Sequence, residues 1–222
     1  NKIGEVISKS NPNYYFCIIM CTFVILRRPD HDWPVLIAAN RDEMLDRPWS
    51  LPGRHWEDRL EIVAGRDHLA GGTWLGINNH GVVAAVLNRR GSLGPKEGFR
   101  SRGELPLEAL DHTDAQTAAQ MLADINPEGY RPFNMVVADN QNAYWIKLAE
   151  THWGLHTHVA DIPRGLSMVT ASDLNDTSSA RIRSYLPQFQ KSQIPNPESV
   201  DWSGWTNLLA SRIYDSAEGP EG

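Results

Sequence analysis

Cysteine is scarce in this chain: two in 222 residues, Cys17 and Cys21. That excludes a disulfide framework. Four residues apart on one strand, the two would sit ~13 Å from each other, too far to bridge. No apolar run reaches the roughly 18 residues of a membrane span, and mean hydropathy is −0.41. Basic blocks are missing as well. The 21 Lys and Arg are scattered among 27 Asp and Glu, for a net charge of −6, which argues against a nucleic-acid backbone as partner. No repeat and no interdomain linker is visible. Cys-x-x-Cys-His is absent, so covalent haem attachment is not expected. Gly71-Gly72-Thr73-Trp74-Leu75-Gly76 lacks the Lys-Ser/Thr ending of a phosphate loop and leads into a strand.

The chain opens on Asn, and Lys2 and Lys9 precede an apolar run over residues 14–26. No small-residue cleavage site follows, so the run is a poor signal peptide. Met20-Cys21 reads as a start. Residues 1–19 are then an upstream extension or a fragment end outside the fold, with a propeptide as the competing reading. Residues 20–222 are expected to form one domain, in the cytoplasm.

Against these absences stand eight Trp, six Tyr and five Phe, enough for a packed core. Residues 21–28 and 34–42 read as two strands around a Pro-Asp-His-Asp-Trp turn. In the first, Phe23 and Ile25 face one way and Val24 and Leu26 the other. Both strands are apolar on both faces and are expected to be buried on both sides. Further strands are expected at residues 62–65, 73–78, 82–88, 133–139, 143–148, 153–159 and 165–172. Asn79-His80-Gly81 and Asn140-Gln141-Asn142 mark tight turns between neighbours. Helices are expected at residues 104–111, 115–125, 178–190 and 203–214, the second behind a capping box of Thr113 and Gln116. Two hairpin-rich sheets with helices outside make a layered α+β domain.

Register arithmetic places the chemistry. A five-residue loop sets Arg28 opposite Pro34, so paired numbers sum to 62 and Cys21 lies opposite Arg41; a slip of one residue would bring Asn40 or Asp42 opposite instead. The polar block Asn40-Arg41-Asp42-Glu43 ends an apolar strand, which packing alone does not explain. If Met20 is the removed initiator, Cys21 carries both a thiol and an α-amine. The amine, with pKa ~7.7–8.0, can serve as general base. A neighbouring Arg41 lowers a thiol's pKa from ~8.5, and Asp42 can orient the amine or the guanidinium. Nucleophile and base in one residue suit acyl transfer from an amide or thioester. Asn88 and Asn134, at strand ends, are candidate oxyanion donors. The plainer alternatives are a small buried hydrophobe for Cys21, a surface ion pair for Arg41 and Asp42, and strand-closing residues for the two asparagines.

Met20-Cys21-Thr22-Phe23, Ala39-Asn40-Arg41-Asp42-Glu43 and Gly71-Gly72-Thr73-Trp74-Leu75-Gly76-Ile77-Asn78 together resemble the NRDE family, also called the transport and Golgi organisation 2 family, over roughly residues 20–215. The resemblance implies an αββα sandwich of the N-terminal-nucleophile hydrolase type, with Cys21 in the nucleophile position. It implies that Arg41 and Asp42 fall near the Arg and Asp that follow the nucleophile in choloylglycine-type amidases. Asn40, Glu43 and Trp74, from the same motifs, are expected to contact substrate. Arg181 or Arg183 is expected to serve as a later arginine, without a choice between them. The family pattern continues into a final strand, so the chain is expected to be C-terminally truncated.

Two functions are therefore expected to compete. One is a hydrolase of an amide or thioester acting through Cys21, Arg41, Asp42, Asn88 and Asn134, with no cofactor and no metal. The other is a binding or trafficking module on the same fold for a hydrophobic metabolite such as haem or acyl-CoA. A scaffold without a small-molecule site is the plainest reading. His152, His156 and His158 fall on one strand face, but no carboxylate or thiolate completes a metal spacing, so they read as solvated. Trp74 and Trp145 are expected to pack between layers.

Overall fold

The fold is a computed structural model that describes residues 21–41 and 46–211. It contains ten strands and four α-helices among those residues: β1 (Thr22–Arg27), β2 (Val35–Asn40), β3 (Trp49–Gly53), β4 (Ile62–Asp67), β5 (Leu75–Asn78), β6 (Val83–Asn88), α1 (Leu105–Leu110), α2 (Ala115–Ala123), β7 (Phe133–Ala138), β8 (Ala143–Thr151), β9 (Gly154–Asp161), β10 (Gly165–Val169), α3 (Ala180–Lys191) and α4 (Ser203–Ala210). Strands β3 to β9 pair in chain order as a seven-stranded sheet, and β10, β1 and β2 form a second sheet of three. Every pairing is antiparallel.

Three apolar cores separate four layers. Leu105, Leu110, Ala118 and Leu122 of α1 and α2 pack on Ile62, Ala84, Met135 and Ile146 of the large sheet. Phe23 and Ile25 of β1 pack between the sheets against Leu87, Val136 and Trp145. Val24 and Leu26 turn the other way, onto Ile182, Tyr185, Phe189 and Trp205 of α3 and α4. The order is therefore helices, large sheet, small sheet, helices, the layered α+β sandwich that the patterning predicts.

The β1–β2 register runs from Thr22 opposite Asn40 to Arg27 opposite Val35, every pair summing to 62 as the loop length requires. Strand β1 is buried on both faces through Leu26. Strand β2 is not: only Leu36 is fully buried, because β2 is the outer strand of the small sheet among the described residues. Strand β3 escaped the sequence pattern. It holds Pro52 and a register break between Ser50 and Gly53, features tolerated at a sheet edge. The cap of α2 is Asp114, whose side chain accepts from Thr117 N at 2.7 Å, one residue later than a box built on Thr113. Asn78 Oδ1 accepts from His80 N and Val82 N, which closes the predicted turn before β6. His152 lies in the β8–β9 turn while His156 and His158 are exposed on β9, and no metal-holding cluster occurs among the described residues.

The Gly-Gly pair before β5 has two reasons: Gly71 takes a positive φ of 73°, and Gly72 has no room for a side chain. Thr73 N donates to Gly103 O at 2.8 Å, so two backbones run in contact. A Cβ on Gly72 would lie 2.3 Å from Gly103 O, with no side chain able to yield. Gly72→Ala is expected to cost about 2 kcal/mol or more, read as a lower midpoint in urea unfolding.

Candidate active site

The register sets Cys21, just before β1, beside the end of β2. Thr22 N donates to Asn40 Oδ1 at 2.7 Å, tying the two strand ends together. A pocket lies here between the small sheet and the large one. Cys21, Asn40 and Arg41 form one wall, Trp74 and Leu75 the other, and Phe23, Ala85 and Leu87 the apolar floor. Its volume is about 40 Å³, enough for a few waters or for one carbonyl group and its substituents. Cys21 is half-buried there, against the apolar core between the sheets.

Arg41 is held from two sides. Its guanidinium lies 4.3 Å from the centroid of the Trp74 ring, a cation–π contact worth ~0.5–2 kcal/mol. Its other side reaches Asp67 Oδ2 at 3.5 Å. Trp74 lies flat because β4 carries Gly65 beneath it: a Cβ there would be 2.6 Å from the indole. Trp49 of β3 meets Trp74 edge-on at 5.7 Å. Trp74 is thus half-buried at the pocket wall just before β5, not packed between layers. Trp145 is packed there, as expected.

Asp67 went unread in the sequence, and it is the electrostatic centre of this wall. It is buried to 8% exposure. Oδ1 accepts from Leu69 N at 2.9 Å and Ala70 N at 3.2 Å. Oδ2 accepts from Arg47 Nε at 2.7 Å. Burial pushes the carboxyl up, but the Arg47 hydrogen bond and charge and the Ala70 and Leu69 amides outweigh it and hold the group below its ordinary value. The signal that could have found it is an Asp four residues ahead of Gly-Gly, the pattern of a side chain closing its own turn.

The predicted site residues do not all converge. Cys21, Asn40, Arg41 and Trp74 do. Asp42 and Glu43 lie outside the described residues. Asn88 ends β6 in register with Phe133. Alternation puts it on the helix-facing side with Ala84, and it does not line the pocket. Asn134 faces the small sheet but is completely engaged. Its Nδ2 donates to Thr170 O at 2.8 Å and Ser172 O at 2.7 Å. Its Oδ1 accepts from Arg89 at 2.7 Å and Trp145 Nε1 at 3.2 Å. With both amide hydrogens used, Asn134 in this arrangement latches β7 to the segment after β10 and has no donor to spare for an oxyanion. Arg89 continues to Asp173 at 2.6 Å, which Lys147 also pairs. Burial raises the Asp173 carboxyl, and the bonds from Lys147 and Arg89 outweigh it and hold it low. Of the two later arginines, Arg181 reaches β1: its buried Nε donates to Thr22 Oγ1 at 2.7 Å and its guanidinium lies over the Tyr185 ring at 4.7 Å. Arg183 instead bonds the Thr177 carbonyl at the exposed start of α3.

The model of the Transport and Golgi organisation 2 family matches residues 17–193. This chain belongs to that family. It is 35% identical over 130 residues to the Transport and Golgi organization 2 homolog of Mus musculus, a match covering 55% of this chain and 45% of that protein. It is 33% identical over 132 residues to the Transport and Golgi organization protein 2 homolog of Homo sapiens, covering 57% and 46%. The match thus spans less than half the length of these relatives. Among solved structures, the chain is similar to a Caenorhabditis elegans N-acylethanolamine-hydrolyzing acid amidase ortholog, with a TM-score of 0.59 over 86% of both chains at 12% identity. That likeness is one of fold, and it makes this family member's sandwich one of the N-terminal-nucleophile hydrolase type.

Truncating Asn134 to Ala would leave two carbonyls, an arginine and an indole N–H without their partner, so about 3 kcal/mol of stability is expected to go; calorimetry or urea unfolding reads it. Acid should act on the same walls. Asp67 and Asp173 are held below the ordinary carboxyl value of about 3.9. Their contribution is therefore present above that value and lost as pH falls through their lower folded values. The unfolding midpoint should drop below about pH 4, and Asp173→Asn should flatten that drop.

Proposed function

We propose that this site is a cysteine acyl hydrolase of the N-terminal-nucleophile kind, cleaving an amide or thioester, in a form of the protein whose chain begins at Cys21. The observation that carries it is the placement of Cys21 at a pocket wall it shares with Arg41. In this reading the Cys21 thiol attacks the substrate carbonyl carbon and its proton passes to the residue's own α-amine. The C–N or C–S bond then breaks, the α-ammonium protonates the leaving group, and water releases the acyl group from sulfur. Arg41 supplies positive charge that favours the thiolate. Asp42 orients the amine or the guanidinium, and Asn40, Trp74 and Glu43 border the substrate. The oxyanion donors are Asn88 or Asn134 only if these side chains turn toward the pocket when substrate binds; backbone amides of the pocket wall are the alternative.

The apolar floor favours an apolar acyl group. On the same face of the large sheet, Val63, Ile77 and Val83 stand side by side across three strands, and Ile77 is 44% exposed. This strip also supports the second reading, a binding module that takes haem or acyl-CoA without turning it over.

Iodoacetamide should label Cys21 faster in the folded protein than in the urea-unfolded chain at the same pH, followed by peptide mass. Turnover of an amide and thioester panel should fall at least about 10³-fold in Cys21→Ala. Slow labelling and no turnover, with haem or acyl-CoA binding that survives Cys21→Ala, would instead establish the binding module.

A further inference from the structure

Asp67 has a division of labour between its two oxygens. Oδ1 takes the Leu69 and Ala70 amides and closes the turn that leads into Gly71-Gly72. The backbone is pinned at the same place: Asp67 N donates to Gly72 O at 2.9 Å and Gly71 N to Asp67 O at 2.8 Å. The carboxylate plane is therefore fixed by the chain around it. What it presents to the pocket wall is Oδ2, which meets Arg47 at 2.7 Å and Arg41 at 3.5 Å. Both arginine side chains are mostly covered, 16% exposed for Arg41 and 23% for Arg47. A third side of the same cage is the Trp74 face on Arg41.

We propose that Asp67 is the positioning residue of the site, a preset anion that gathers Arg41 and Arg47 and holds the Arg41 guanidinium over the Trp74 ring at the pocket that Cys21 also lines. This rests on the reading in which Arg41 tunes the Cys21 thiol. Asp67 touches no substrate in this arrangement; it acts through Arg41. Two effects of its charge oppose each other. As a bare negative charge it would offset Arg41 and disfavour the thiolate. As a clamp it keeps Arg41 near the sulfur and favours the thiolate. Charge–charge attraction falls with distance, and a guanidinium that swings to solvent is screened, so the clamp outweighs the offset.

Asp67→Asn separates turn from clamp. An Asn side chain closes the same turn through its oxygen, while its NH₂ faces two guanidiniums it cannot accept from. The experiment follows the rate of Cys21 alkylation by iodoacetamide against pH, by peptide mass, in the full chain. Arg41→Met should move the half-maximal pH upward by about 1 unit. Asp67→Asn should move it the same way by as much or less, and the double variant no further than Arg41→Met alone. If Asp67→Asn lowers the half-maximal pH, or leaves it in place while Arg41→Met raises it, the proposal is wrong. If Arg41→Met itself has no effect, the tuning role of Arg41 fails instead. The clamp then stands or falls on a double-mutant cycle in urea midpoints: non-additive effects of Asp67→Asn and Arg41→Met support it, and strict additivity overturns it.

Discussion

Strand β1 is apolar on both faces, and a strand of that kind stays folded only if both faces are covered. Phe23, Val24 and Ile25 are at most 1% exposed. One face needs a second sheet and the other needs helices, so the chain is driven to four layers. Everything at the site hangs from this. Because β1 cannot shift by one residue without turning Phe23 and Ile25 out of the inter-sheet core, its pairing with β2 is locked. The lock sets where Cys21 and Arg41 stand.

The sandwich is held at both ends by polar contacts that cross between sheets. At the site end Asn134 reaches the carbonyls of Thr170 and Ser172. At the far end Arg27 reaches the carbonyls of Ile162 and Gln141. Asn134 is buried, and a buried polar group is costly to leave unpaired and therefore specific in what it joins. The pocket sits beside one of these latches: Leu87 of its floor pairs with Asn134. Its lining brings a cation and an indole face together, and an anion outside the lining holds the cation. Gly65 makes room for Trp74, and the turn after β4 orients Asp67.

The positions of the strands other than β3, the β1–β2 register and the two-sided burial of β1 were legible because they depend on local patterns: a loop length, an alternation, a turn signature. The motif residues Cys21, Asn40, Arg41 and Trp74 were legible for the same reason. Asn88 and Asn134 were chosen as strand-end asparagines, and one strand position decides which face a side chain takes. Asn88 ends up toward the helices and Asn134 in a saturated network. Strand β3 was hidden by Pro52 and by a broken ladder, and Trp74 was misplaced because a tryptophan at a strand start reads as core.

By itself the sequence determined the layered class, the hairpin that carries Cys21 and its membership in a family of known motif, since alternation, turn residues and motif spacing are properties of neighbouring positions. Only the tertiary structure decided that Asp67, some 26 positions from Arg41, shares its charge, that Arg181 rather than Arg183 reaches Thr22, and that Asn134 spends every hydrogen bond between sheets. Those pairings join residues far apart in the chain, and no local preference encodes them: they come into being when the layers close and water leaves.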